Sequence, residues 1–221
     1  EDLIVEIRDP RRLTPSEHGA ILECCRRANM AIYMGTNGGE PDKGIILDLG
    51  EQFGLSHLDH NRGADEDAIT SLMVQSDALH AGYIPYTDRP IAWHTDGYYN
   101  GLDHQIHAMV LHCVHPAARG GENALLDQEI AYILLRDRSP EYIRALSHPQ
   151  AMTIPANVVN GKTVRPEQPG PVFSVRPDGR LHMRYTDRKR NIGWRDDPLT
   201  AAAVAALKEI LHGDSPYHFQ G

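Results

Sequence analysis

The hydrophobic positions of this chain fall into short segments, each closed by Gly, Pro or a cluster of polar residues. Thr14-Pro15-Ser16-Glu17 has the form of a helix start. Thr14 caps, Pro15 suits the first helical position, and Glu17 closes a capping box. The helix it opens is expected to run to about residue 28, with a short strand at 30–34 after it. Ile45, Ile46, Leu49 and Phe53 recur at helical spacing and predict a second helix over 41–53.

The middle of the chain changes period. Residues 69–74, 91–94, 105–114 and 123–126 have strand character. Within 105–114, Ile106, Ala108, Val110, His112 and Val114 would share one face, because strand side chains alternate. Helices are expected at 127–135 and 139–146, then strands at 151–154, 171–175 and 180–185. A final helix at 198–211 would bury Val204, Leu207, Ile210 and Leu211. Helices flanking many short, turn-separated strands predict an α+β fold with a jelly-roll core.

Composition narrows the function. A chain of 221 residues buries a sizeable core as one domain. Its longest apolar run, 201–207, is far too short to span a bilayer, so no membrane partner is expected. The net charge of −8 argues against nucleic acid as the main partner. Cys24, Cys25 and Cys113 are odd in number and two are adjacent, which speaks against a disulfide framework. With no leader-like character in Glu1-Asp2-Leu3-Ile4, a reducing, cytoplasmic setting is expected.

Thirteen histidines need an account. Non-haem iron sites use two His and one carboxylate, and a His-x-Asp triplet at a strand end puts two such groups on one face. The chain holds three triplets: His57-Leu58-Asp59, His94-Thr95-Asp96 and His212-Gly213-Asp214. Its 13 His and 18 Asp give ~1 by chance, so spacing alone decides nothing. Context does. His57 lies in a polar loop, and His212 ends the last helix, where a cationic side chain is ordinary. His94 ends a short strand and is followed by Gly97 and two tyrosines.

Trp93-His94-Thr95-Asp96-Gly97 resembles the metal motif of the TauD/TfdA-like Fe(II)/2-oxoglutarate dioxygenases. Pro116-Ala117-Ala118-Arg119-Gly120-Gly121-Glu122-Asn123 resembles the next family segment, Pro-x-x-Gly-Gly-Asp-Thr, with one extra residue. Asp127-Gln128-Glu129-Ile130-Ala131-Tyr132 resembles the helix that follows, and order and spacing agree from Gly82 to Leu146. The resemblance implies a double-stranded β-helix (jelly roll) and Fe(II) held by His94 and Asp96. It also implies 2-oxoglutarate as co-substrate, with Asn123 standing where relatives often bind it through Thr. The implied activity is hydroxylation of a small polar or anionic substrate by O2, with release of succinate and CO2. Gly120-Gly121 is either a close-approach device or an ordinary tight turn.

The family also needs a distal His and an Arg on late strands. The last Arg here is Arg195, ahead of the final helix, and nothing after His218 resembles the closing strand. His218 is therefore not favoured as the third ligand, and the expectation is a single domain over 1–221 whose C-terminal strands are absent. His104, His107, His112 and His115 are expected to be core or rim histidines rather than a metal cluster. The basic run Arg184-Tyr185-Thr186-Asp187-Arg188-Lys189-Arg190 is either a solvated loop or an anion site. Tyr83, Tyr86, Tyr98 and Tyr99 either line a pocket or pack. Uncovered strand edges would favour a homo-oligomer. The competing functions are a non-catalytic jelly-roll binding relative without iron and a zinc hydrolase. The second is disfavoured by the lack of Cys-x-x-Cys and His-Glu-x-x-His.

Overall fold

The computed structural model describes residues 2–35, 41–59, 68–74, 84–159, 161–188 and 192–220. Gly82, Tyr83, Lys189 and Arg190 lie outside them. The chain forms two compact units, Glu1–Met73 with His107–Glu122, and Val74–Ile106 with Asn123–Gly221.

The first unit is built on a parallel β-α-β. Strand β1 (Ile4–Ile7) pairs with β2 (Ile32–Gly35) in register, Val5 opposite Tyr33, and helix α1 (Pro15–Ala28) crosses between them. The capping box forms as expected: Glu17 N–H donates to Thr14 Oγ1 at 3.3 Å, and Thr14 N–H to Glu17 Oε2 at 2.7 Å. At the other end Asn29 takes a left-handed conformation (φ 56°), and its N–H donates to the Cys25 carbonyl. Val5 and Ile7 bury against Ile21 and Cys24, while Cys25 faces out. The second helix, α2 (Gly44–Gln52), is shorter than expected but buries Ile45 and Leu49. His112, on the segment that closes this unit, stacks on Tyr33 and meets its hydroxyl through Nδ1 at 2.6 Å.

The second unit holds the main core. The element order begins with β3 (Ala124–Leu125), α3 (Gln128–Arg138), α4 (Pro140–Leu146) and β4 (Met152–Ile154). It continues through β5 (Asn157–Val159), β6 (Lys162–Arg165), β7 (Gln168–Gly170), β8 (Phe173–Val175) and β9 (Leu181–Met183). β10 (Gly193–Trp194), α5 (Pro198–His212) and β11 (Phe219–Gln220) complete it. Leu135, Leu146, Met152, Val172, Phe173, Tyr185, Ala203 and Leu207 are fully buried together. The Val204, Leu207, Ile210 and Leu211 stripe of α5 faces this core as the periodicity predicts. Asp197 caps α5 by accepting from the Thr200 N–H at 2.9 Å.

The α+β class holds, but the strands form only small sheets. β10-β4-β7 is an antiparallel three-stranded sheet; β5-β6, β8-β9 and β3-β11 are antiparallel pairs. Among the described residues they do not close into a double-stranded β-helix. Two expected strands, 69–74 and 105–114, are absent as ladders. The physical reason is pairing: alternation sets which side chains face inward, but a strand exists only where a neighbour takes its N–H and C=O groups. No helix among the described residues is long and apolar enough to cross a membrane.

Candidate active site

The His94 segment is extended and does find a partner. Thr95 N–H donates to the Tyr185 carbonyl at 2.9 Å, and Asp187 N–H to the Trp93 carbonyl at 2.8 Å. Between these bonds His94 faces Thr186 in an antiparallel bridge. The two residues do not bond each other's backbone, which is the closer of the two antiparallel pairings for side chains. Thr95 adds a side-chain tie, its Oγ1 accepting from the Tyr185 N–H at 3.0 Å.

Two residues on, Asp96 returns to the His94 face. His94 Nε2 and Asp96 Oδ1 stand 3.5 Å apart, with 34% and 45% of the side chains exposed. His94 Nδ1 lies 2.9 Å from the Ala92 carbonyl, which can only accept, so Nδ1 carries a proton, and Nε2 is the nitrogen that faces Asp96. Asp96 raises the pKa of His94, against the opposing effects of burial and of the Arg188 charge. Gly97 then turns the chain with φ +64°; a Cβ there would meet Ile106 Cγ1 at 2.5 Å. The glycine of the motif is required by both conformation and space.

The wall behind the ladder is apolar. Trp93 packs against the core and meets His218 edge-on, ring centroids 5.8 Å apart. His218 follows α5 and precedes Phe219, which pairs with Leu125 of β3. Asn123 is exposed and immediately precedes that strand. Both ring nitrogens of His218 are engaged, Nδ1 with Ser215 Oγ at 2.7 Å and Nε2 with the Leu211 carbonyl at 3.2 Å. It packs beside Trp93.

The basic run divides. Arg184 is neither solvated nor an anion receptor. It is 3% exposed and donates from Nε to the Tyr98 carbonyl (2.7 Å), from Nη1 to Met152 (3.2 Å) and from Nη2 to Gln168 (2.6 Å). Burial lowers its pKa to about 10. Asp187 accepts from Lys208 Nζ at 2.6 Å and lies 2.8 Å from His212 Nε2. Burial pushes its pKa up, but the bonds from Lys208 and His212 outweigh that and hold it below the usual value. Arg188 lies over the Tyr98 ring, 5.7 Å from its centroid. Beside the ladder, the buried hydroxyls of Tyr185 and Thr186 have no hydrogen-bond partner among the described residues.

His57 is exposed beside Ser56, and His212 ends α5. His104, His107 and His115 are exposed, and His112 belongs to Tyr33. Gly120 and Gly121 both have positive φ, 67° and 89°, as a tight turn requires. Tyr86 is buried, while Tyr98 and Tyr99 pack edge-to-face at 5.2 Å. The sequence missed Asp187 and the support role of Arg184, whose partners are distant in the chain.

Among the described residues no three His, Cys, Asp or Glu side chains gather as a metal-binding group. His94 and Asp96 nonetheless fit two adjacent positions of one cation. They are imidazole and carboxylate, near enough for a single ion to touch both, and the second ring nitrogen of His94 is held by a backbone carbonyl. The orphan Thr186 hydroxyl on the same face adds a polar group.

Residues 7–220 match the family described as taurine catabolism dioxygenase TauD, TfdA family. The chain belongs to the TauD/TfdA family. The relatives of this TauD/TfdA chain include a uridine-5'-phosphate dioxygenase from an Amycolatopsis species. It is 29% identical over 205 residues, covering 86% of this chain and 71% of that protein. A second, from a Streptomyces species, is 31% identical over 154 residues. That match covers 68% of this chain and about half, 52%, of the Streptomyces protein. TauD/TfdA dioxygenases generally use Fe(II) and 2-oxoglutarate.

Proposed function

We propose that this chain is an Fe(II)- and 2-oxoglutarate-dependent oxygenase acting on a small anionic substrate, of the nucleoside monophosphate class. Both compact units then belong to one dioxygenase domain, as the family match across 7–220 supports. The small antiparallel pairs are read as parts of a jelly-roll frame. The observation that carries the function is the ladder that sets His94 and Asp96 side by side on one face. The substrate class is supported by the names of two relatives.

His94 and Asp96 would hold iron, and Asn123 would help hold 2-oxoglutarate through its amide. When bound, iron and 2-oxoglutarate supply the oxidising power toward a substrate C–H bond, with O2 consumed and succinate and CO2 released. The chain's own residues do the positioning. The Ala92 carbonyl fixes the tautomer of His94, and the ladder to Tyr185 and Asp187 fixes its direction. Trp93, backed by His218, excludes water from one side.

The test is anaerobic titration of Fe(II) and 2-oxoglutarate, followed by succinate release with and without uridine 5'-phosphate. Substrate-stimulated succinate is the expected result. His94→Ala should abolish it and weaken Fe(II) binding by at least about 100-fold, since loss of an outer partner alone costs roughly 10–100-fold. If the wild-type protein binds uridine 5'-phosphate but releases no succinate, a non-catalytic binding relative replaces this reading.

A further inference from the structure

Three arginines gather around Tyr98 and Tyr99, and two are spent. Arg184 is committed to the carbonyls of Tyr98, Met152 and Gln168. Arg165 donates to the carbonyls of Tyr99 and Pro155 at 3.3 and 3.0 Å. Arg188 differs. It is exposed, and among the described residues it forms no ion pair with a carboxylate. It sits two residues after Thr186, so strand alternation returns it to the face that carries His94 and Asp96.

Its guanidinium is also held in place. The group rests on the Tyr98 ring, and Tyr98 is fixed from below by Arg184 and from the side by Tyr99. A guanidinium on an aromatic face keeps its N–H groups pointing outward in its own plane, which is the geometry that receives a phosphate or carboxylate bidentately. Holding the group before the ligand arrives lowers the ordering cost of binding. Arg188 thus combines a place over an aromatic ring, no carboxylate partner among the described residues and a position beside the His94 and Asp96 face.

We propose that Arg188 receives the phosphate of the substrate and sets the preference of the site for a nucleoside monophosphate over the free nucleoside. This assignment rests on the nucleotide reading above. The distal carboxylate of 2-oxoglutarate offers similar chemistry, so the test must separate the two sources.

The probes are uridine 5'-phosphate, uridine and 2-oxoglutarate, titrated calorimetrically into wild type, Arg188→Gln and Arg188→Lys. Wild type should bind uridine 5'-phosphate at least about tenfold more tightly than uridine. Arg188→Gln should erase that preference by raising Kd for the nucleotide alone, and Arg188→Lys should recover part of it. Added salt should weaken nucleotide binding to wild type more than to Arg188→Gln. Unchanged nucleotide affinity in a folded Arg188→Gln protein overturns the assignment and leaves the proposed function standing. A loss confined to 2-oxoglutarate overturns it in favour of the co-substrate. A wild-type protein that does not distinguish nucleotide from nucleoside overturns both this assignment and the nucleotide reading.

Discussion

Residues 93–96 and 105–114 begin with the same kind of pattern and end differently. Both include residues of strand character, 93–94 as the end of 91–94 and 105–114 throughout. In 106–114 burial follows facing except at Ala108: Ile106, Val110, His112 and Val114 are half-buried, while His107, Ala108, Met109, Leu111 and Cys113 are exposed. Yet no ladder forms there among the described residues. Residues 93–95 are fewer, but residues 185–187 meet their backbone. The difference teaches that facing is a side-chain property and strandness a backbone one. The candidate iron ligands sit where the backbone is paired, and the support of that pairing is where the site is most easily broken.

The largest effect should come from Arg184. It precedes the ladder residue Tyr185 and ties three carbonyls from three separate segments. Arg184→Met fills much of the volume but strands those carbonyls. Hydrogen bonds to charged groups contribute ~1.5–3 kcal/mol each, so a loss of about 4 kcal/mol is expected. Urea unfolding measures it. A loss under about 1 kcal/mol would show that the ladder does not depend on this buttress. Arg184→Lys should recover little, because one ammonium cannot reach all three acceptors.

Gly97 comes next. An alanine there meets Ile106 at 2.5 Å and Asn100 Nδ2 at 3.0 Å, at φ +64°. Left-handed backbone strain costs about 1–2 kcal/mol, and overpacking about 1–3 kcal/mol more. Gly97→Ala should therefore cost about 3 kcal/mol and move Asp96, lowering Fe(II) affinity as well as stability. Adding Ile106→Ala removes the clash but not the strain. Partial rescue by the double variant is expected, and no rescue would mean that conformation alone requires the glycine.

What the sequence made legible follows the same division. The capping box at Thr14 and Glu17 is local, and it was found to the residue. The stripe of α5 was legible because one helix presents its whole face to one core. His94 and Asp96 stood out only through their neighbours, since three equivalent triplets occur. The β5–β6 hairpin escaped notice because its residues are mostly exposed and give little apolar alternation. Arg184 escaped for a different reason. Residues 183–186 are buried consecutively, on both faces, and an arginine inside such a run looks like surface until its acceptors are placed. Those acceptors, at 98, 152 and 168, share no sequence signal.

The smallest effect, and the sharpest test of how the paired region is anchored, concerns Asp187. Its N–H closes the ladder on Trp93, while its carboxylate, 14% exposed, binds Lys208 and His212 of α5. The folded carboxyl has its pKa held down because these bonds outweigh burial. The unfolded chain therefore takes up the proton at higher pH than the folded one. The stabilisation is fully present above the unfolded value of about 3.9 and is lost as pH falls through the lower folded value. Asp187→Asn should cost about 1 kcal/mol at neutral pH, since both partners, Lys208 and His212, are half exposed and screened. The gap between wild type and Asp187→Asn in urea unfolding should narrow below pH 4. Other depressed carboxyls, such as Asp178 and Asp197, persist in both proteins and cancel in the comparison. A gap constant across that window would mean that the carboxylate charge does not anchor the ladder to α5, and that the backbone bond to Trp93 suffices.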